Sequence, residues 1–307
     1  MFEPFCIKRN KQPKFAPVSK ILFYLIIKPL SYLSMWILYG ISNFLSFVFY
    51  YLVPYRKKVV ISNLSNSFPE KSEKEIKHIA HKFYNHLCDL IVESVKLFSI
   101  SEKEIAKRFV VNNPEFLQPF FDEGKSVIIV GGHYNNWEIL ASGIDNQVPH
   151  ESVALYSKLN NVFFNEKMKA SRGKFGLRMV TTKDSFAYFK EKSDSPRMTI
   201  FGADQSPTYS KNVHWMTFLN QETAVALGTE RFAKKYDLPV VYGAINKVKR
   251  GHYTLDISLI TDSPKETEDG FITETHTQIL EKYILDQPEY WLWTHKRWKR
   301  KRRKDEL

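Results

Sequence analysis

His133 and Glu138 stand five positions apart behind a short apolar run, Ser126-Val127-Ile128-Ile129-Val130, and a pair of glycines, Gly131-Gly132. A neutral imidazole can take a proton from a hydroxyl near neutral pH. A carboxylate on its other nitrogen fixes the tautomer and stabilises the imidazolium that forms. An α-helix advances about 100° per residue, so five steps leave two side chains about 140° apart, and the pair cannot share one face of a regular helix. It converges if His133 lies in the loop leaving a strand and Glu138 in the first turn of a helix over residues 136–142, N-capped by Asn135 or Asn136. A helix N-terminus at that point also favours negative charge beside the imidazole. The same letters fit a buried histidine with a solvated glutamate, and spacing alone leaves both readings open. No spaced His/Cys cluster supplies a third metal ligand, so no metal centre is expected.

The elements that would hold this pair are legible around it. Residues 127–130 are β-branched and apolar, a buried strand, and the two glycines allow a tight turn or close backbone approach. From about residue 109 onward strands and helices alternate, with strands predicted over 109–112, 127–130, 152–155, 178–180, 198–201, 214–218, 240–246 and 253–259. Helices are predicted over 114–123, 137–143, 161–172, 185–192, 226–236 and 271–285. The rhythm is α/β: a mixed central sheet flanked by helices, whose ligands collect at the carboxyl ends of strands. His133 and Asp204 both fall at such ends. Before this core, Ser72-Glu73-Lys74-Glu75 opens a helix with a capping-box pattern, and its apolar residues from Ile76 to Ile91 follow helical spacing. His78, His81 and His86 read as surface or boundary residues of that helix.

The N-terminal quarter differs. Residues 1–20 form a basic, proline-containing arm. Residues 21–55 are the most apolar part of the chain, and 30–53 carry no charge. Those 24 residues would span about 36 Å as a helix, against about 30 Å for a bilayer core. They predict a membrane-anchoring helix, spanning or lying in the interface; a buried hairpin of two core helices is the alternative. No small-residue cleavage site follows, which argues against a cleaved signal. Residues 56–295 would then be the catalytic domain and 296–307 a basic tail.

Composition narrows the classes further. The 307 residues suffice for a full core, and 43% hydrophobic against 25% charged residues excludes a disordered polymer. Two cysteines, Cys6 and Cys88, make no disulfide framework. The net charge is +12, of which the last twelve residues carry +6. Such a balance implies an acidic partner, here anionic phospholipid or an acidic protein rather than nucleic acid, for which no fold motif is found. The segment Tyr290–Trp298 mixes rings with Lys296 and Arg297. It suits headgroup depth, or equally a core-capping segment followed by a solvated tail. Gly-x-Ser-x-Gly and Gly-rich phosphate loops are both missing, so neither an acyl-enzyme nor nucleotide chemistry is expected. The last four residues, Lys304-Asp305-Glu306-Leu307, spell an ER-retrieval signal, which is set aside because no cleavable signal accompanies it.

Five blocks in order carry a family resemblance. His133 and Glu138 match the H-x4-D/E box of the glycerolipid acyltransferase superfamily. Arg172-Gly173-Lys174-Phe175-Gly176, Phe201-Gly202-Ala203-Asp204-Gln205, the stretch from Phe218 to Pro239, and Pro288 to Trp298 resemble further blocks of the lipid A late acyltransferases, the lauroyl and myristoyl transferases. Together they cover roughly residues 20 to 304. The letters Tyr134-Asn135-Asn136-Trp137 depart from the best-known members. The resemblance implies transfer of a fatty acyl chain from an acyl carrier protein or coenzyme A thioester to a lipid hydroxyl, most like that of a lipid A precursor. It implies His133 as base and Glu138 as the carboxylate that orients it. Arg172, Asp204 and Gln205 would bind substrate, with Arg172 or the backbone N–H groups around Gly131, Gly132 or Asn135 as oxyanion donors. The thioester is a co-substrate and no cofactor is implied. The expected location is the cytoplasmic side of a bacterial inner membrane. Acylation of a lysophospholipid or an aminolipid, or a membrane-surface binding protein without turnover, are the alternatives.

Overall fold

The computed structural model describes residues 16–207 and 212–303. Cys6, most of the predicted arm and the terminal Lys304-Asp305-Glu306-Leu307 lie outside the described residues.

The apolar run at residue 127 is strand β2 (Val127–Gly131), the centre of a seven-stranded sheet. In chain order the other strands of this sheet are β1 (Phe109–Val111), β3 (Glu151–Tyr156), β4 (Arg178–Thr181), β5 (Arg197–Gly202), β8 (Val240–Lys249) and β9 (His252–Thr261). Across the sheet their order is β1-β9-β8-β2-β5-β3-β4. β2 pairs in parallel with β5 and β8, while the β8–β9 hairpin is antiparallel, so the sheet is mixed as expected. A separate antiparallel hairpin joins β6 (Val213–Phe218) to β7 (Gln221–Ala226). The residue pattern predicts no strand over 221–226 and starts a helix at residue 226. Leu219 and Asn220, both with positive φ, make the tight turn that the letters Phe-Leu-Asn-Gln do not advertise.

Period-two alternation distributes β2 between two cores. Ile128 and Val130 pack with the helices Lys57–Ser67, Glu73–Leu97, Gly228–Tyr236 and Phe271–Asp286; Val127 and Ile129 pack with Glu102–Arg108 and Trp137–Gly143. A strand buried on both faces must be continuously apolar, which is why its sequence shows no polar alternation. The capping box is present: Ser72 Oγ accepts from the Glu75 N–H, and the Glu75 carboxylate accepts from the Ser72 N–H. His86 is buried rather than superficial, its ring packed edge-on against Tyr290, and burial holds its pKa well below the ordinary value.

The apolar N-terminal region is a chain of helical pieces rather than one rod: Ala16–Leu22, a π-helical turn Phe23–Ile27, Lys28–Ser31, then Met35–Phe47 continued by a π-helical turn Val48–Leu52. Residues 32–34 break the helix, and Ser34 is extended with ψ 151°. The stretch Met35–Leu52 is long and apolar enough to cross a membrane by length and composition. At the other end, Trp291, Trp293 and Trp298 are core residues, not a headgroup belt. They pack on one another and on Phe218, and the Trp298 indole donates to Thr223 Oγ1 at 2.7 Å. Part of the predicted basic tail lies on the β6–β7 hairpin: the Arg300 and Arg302 guanidinium groups both stand over the Trp215 ring.

Candidate active site

β2 and β5 end side by side, with Gly131 opposite Gly202 and the Ala203 N–H donating to the Gly131 carbonyl at 3.0 Å. Two residues past each strand end stand His133 and Asp204. The alternation of β2 persists beyond the ladder. Tyr134 turns into the helix-side core, donating to the Tyr283 and Gln287 carbonyls, while His133 turns to the cavity that Ile129 also lines.

Two glycines stand close to the pair. A Cβ on Gly202 would lie 3.2 Å from His133 Cε1, and one on Gly132 would lie 2.7 Å from Leu280 Cδ2 and 3.3 Å from Asp204 Cγ.

The carboxylate that holds the imidazole is Asp204, not Glu138. His133 Nδ1 lies 2.6 Å from Asp204 Oδ1. Asp204 Oδ2 accepts the Trp291 indole N–H at 2.8 Å, and the backbone N–H of His133 also donates to this carboxylate. Burial alone would raise the Asp204 pKa. The charge and hydrogen bond of His133, with the indole, outweigh it and hold the carboxyl well below the ordinary range. Burial would likewise lower the His133 pKa, but Asp204 overrides it and Glu138 adds to the effect, so the ring titrates above its usual value. Gln205 Nε2 is 3.2 Å from His133 Nε2. An amide N–H there can only donate, so this pairing fits the tautomer with the proton on Nδ1 and the lone pair on Nε2. The Nδ1–H then faces Asp204 and the basic nitrogen lies at the cavity wall beside Gln205, which an acceptor hydroxyl must replace as partner before proton abstraction.

Glu138 is occupied elsewhere. Asn136 caps the helix Trp137–Gly143, its Oδ1 accepting from the Glu138 and Ile139 N–H groups, which settles the choice between Asn135 and Asn136. Glu138 in that first turn takes a two-pronged bond from Arg172, Nε to Oε2 at 2.8 Å and Nη2 to Oε1 at 2.5 Å. Its Oε1 also accepts the Trp137 indole N–H at 3.2 Å. The Trp137 ring stands edge-on to His133 with centroids 5.0 Å apart. Glu138 therefore reaches the imidazole through field and ring contact, without a hydrogen bond. Burial disfavours the charged Arg172, but Glu138 more than compensates and raises its pKa. With Nε and Nη2 committed to Glu138, Arg172 is fixed as part of the wall. Of the backbone donors considered for an oxyanion, the Asn135 N–H is taken by the Tyr290 carbonyl at 3.0 Å, with Asn135 itself left-handed at φ 54°.

All five residues singled out from sequence thus meet within one site, with Asp204 rather than Glu138 hydrogen-bonded to the imidazole. Trp291 and His295 were not assigned to it. His295 Nε2 accepts the Ser206 N–H at 3.0 Å and so fixes the loop after Gln205; burial pushes its pKa down to about 4, which keeps it neutral and able to accept. The repeated aromatic and basic letters around them concealed both, because a core indole with one buried acceptor looks in sequence like any interfacial tryptophan.

A cavity of about 730 Å³ opens from this cluster. His133, Glu138, Arg172 and Gln205 line it, and its remaining wall is mainly apolar, including Leu140, Ile144, Ala154, Met168, Met179 and Ile200. Such a lining is chemically suited to a long apolar ligand with one polar end. Among the described residues no group of three or more His, Cys, Asp or Glu side chains could hold a metal ion.

Comparison with known proteins identifies the family. The model of the bacterial lipid A biosynthesis acyltransferase family matches residues 10–300. Over 245 residues the chain is 22% identical to the lipid A biosynthesis lauroyltransferase of Escherichia coli (strain K12), covering 80% of this chain and 79% of that protein. Over 305 residues it is 23% identical to a lipid A biosynthesis acyltransferase of Haemophilus influenzae (strain ATCC 51907 / DSM 11121 / KW20 / Rd), covering 95% and 96% respectively.

Proposed function

Because the chain belongs to the bacterial lipid A biosynthesis acyltransferases and is an acyltransferase, we propose that it moves a fatty acyl chain from an acyl carrier protein thioester to a hydroxyl of a lipid A precursor, with His133 as general base. The observation that carries the proposal is the alignment Asp204–His133–Gln205 at the polar end of an apolar cavity. The acyl chain occupies the cavity with its thioester carbonyl beside His133. Nε2 takes the proton of the acceptor hydroxyl as its oxygen attacks that carbonyl. Asp204 stabilises the imidazolium, and the proton is then available to the departing thiolate of the carrier. No cofactor takes part. A general base of this kind contributes about 10²–10⁴-fold in rate.

Arg172 and Glu138 act here as a paired wall beside the reacting carbonyl. Direct transfer, without a covalent acyl-enzyme, follows from the alcohol itself being the group that His133 activates. The acidic carrier protein and anionic phospholipid complement a chain of net charge +12. The exposed apolar residues of the N-terminal helices support attachment to a membrane, which we assign to the cytoplasmic side of the inner membrane.

Lipid mass spectrometry of a strain lacking the gene tests the assignment. The expected result is a lipid A species lighter by one acyl group, restored by the wild-type chain but not by His133→Ala. An unchanged lipid A together with a missing acyl group on a phospholipid or aminolipid would replace the acceptor. Parallel turnover with carrier-protein and coenzyme A thioesters of one chain length decides the donor, with the carrier form expected to be faster.

A further inference from the structure

The helix Met35–Phe47 and its continuation Val48–Leu52 turn their polar side chains inward and their apolar ones outward. Tyr39 Oη donates to Glu93 Oε1 at 2.9 Å, Ser42 Oγ to Asp89 Oδ1 at 2.6 Å and Ser46 Oγ to Asn85 Oδ1 at 2.5 Å. The Tyr50 ring meets His81, and its hydroxyl donates to the Lys77 carbonyl at 3.3 Å. These partners step back along the helix Glu73–Leu97 four residues at a time, so the two helices run antiparallel in contact from end to end. Arg250 fastens the pair from outside, its Nη2 donating to Asn43 Oδ1 at 2.8 Å and its Nε to Asp89 Oδ1 at 3.0 Å. The opposite face is open and apolar, with Trp36 77% and Phe44 64% exposed, and Phe47, Tyr51 and Leu52 beside them.

This pairing is incompatible with a bilayer crossing. Eighteen helical residues rise about 27 Å, and their partner helix runs alongside over the same length. A crossing would carry its exposed Lys77, His78, Lys82 and Asn85, together with the Asp89–Arg250 pair, into hydrocarbon, where ionisable groups are strongly disfavoured. One apolar face backed by a polar one is instead the pattern of a helix lying at the interface. The earlier pieces continue the open face through Ile21, Leu25 and Tyr32.

The buried side of these pieces packs on a wall of the cavity. Phe23 stacks edge-on against Phe163 and Phe164, and Asn161 Nδ2 donates to Ser19 Oγ at 2.7 Å. Phe164 and Met168, on that flank of the helix Val162–Arg172, line the cavity itself. From Ala16 to Pro69 the chain has no acidic residue and five basic ones, and Lys167 adds its ammonium 5.1 Å over the Phe23 ring.

We propose that residues 16–55 form an in-plane platform that sinks its apolar face into an anionic lipid surface without crossing it, and that sets the edge of the acyl cavity at that surface. This deepens the acyltransfer reading by stating how a lipid acceptor reaches His133. Sidedness labelling tests it on the full chain. Cys6→Ser leaves Cys88, which is buried, as the remaining native cysteine. Lys28→Cys then reports on the platform, and Lys192→Cys, on an exposed loop of the catalytic domain, reports on the domain. Each is exposed to a membrane-impermeant maleimide in sealed vesicles of both orientations. The platform predicts that both positions label from the same side. Labelling of Lys28→Cys from the opposite side, or from neither, overturns it. The readout does not depend on turnover, so a failure of the proposed chemistry would leave it unmoved.

Discussion

Exchanging Asp204 for asparagine removes the charge that lifts the His133 pKa while leaving a group of the same shape beside the indole of Trp291. The base-competent neutral imidazole accumulates as pH rises through its pKa, so the acidic limb of kcat/KM in the wild type should have a midpoint above the ordinary histidine value of about 6.5. In Asp204→Asn only the field of Glu138 still opposes burial, and that limb should move to lower pH while the plateau rate falls by about 10²-fold or more. A pH–rate profile of both proteins checks this; an unmoved limb would mean that His133 is not the titrating group. Glu138 and Arg172 make the complementary prediction. Either truncation leaves its partner charged and largely enclosed, so Arg172→Ala or Glu138→Ala should each lower stability by about 3 kcal/mol, with the double variant recovering part of the loss. Thermal melts of the four proteins in the cycle measure it.

The elements carry these residues with little slack. Asn136 is held from below by the buried Glu93, to which its Nδ2 donates at 2.6 Å, and it caps the helix bearing Glu138. Asn136→Ala should cost about 1–2 kcal/mol for the cap, plus the loss of one of the hydrogen bonds to Glu93, which keeps those from Tyr39 and Tyr253, with a denaturation midpoint as the readout. Gly202→Ala should press on the imidazole and reduce turnover more than stability. The strands were legible because a doubly buried β2 leaves a run of four β-branched residues, and the helices because their apolar residues keep a 3.6 period. The exchange of carboxylates was not legible. His133 and Asp204 are 71 residues apart and meet only because β2 and β5 are adjacent in the sheet, a pairing that no local pattern encodes. The five-residue spacing of His133 and Glu138 was real but positions the glutamate for Arg172. Likewise β7 was missed because its turn depends on left-handed Leu219 and Asn220 rather than on glycine.

At the scale of the whole molecule, the sheet delivers His133 to one end of an apolar cavity, and the platform proposed above would set the flank of that cavity against lipid. The depth of that cavity should then select the donor. Filling it with Ala154→Phe should shift the preferred acyl chain to a shorter one, changing the ratio of kcat/KM between two donors by about 10-fold or more while an octanoyl-length donor is little affected. A chain-length series against one acceptor measures it. The central claim is the proton abstraction at His133. Single-turnover acyl transfer by His133→Ala, with folding confirmed by its melting transition and vesicle binding intact, tests it most directly. The account predicts a loss of about 10²–10⁴-fold; turnover within a few-fold of wild type would contradict it.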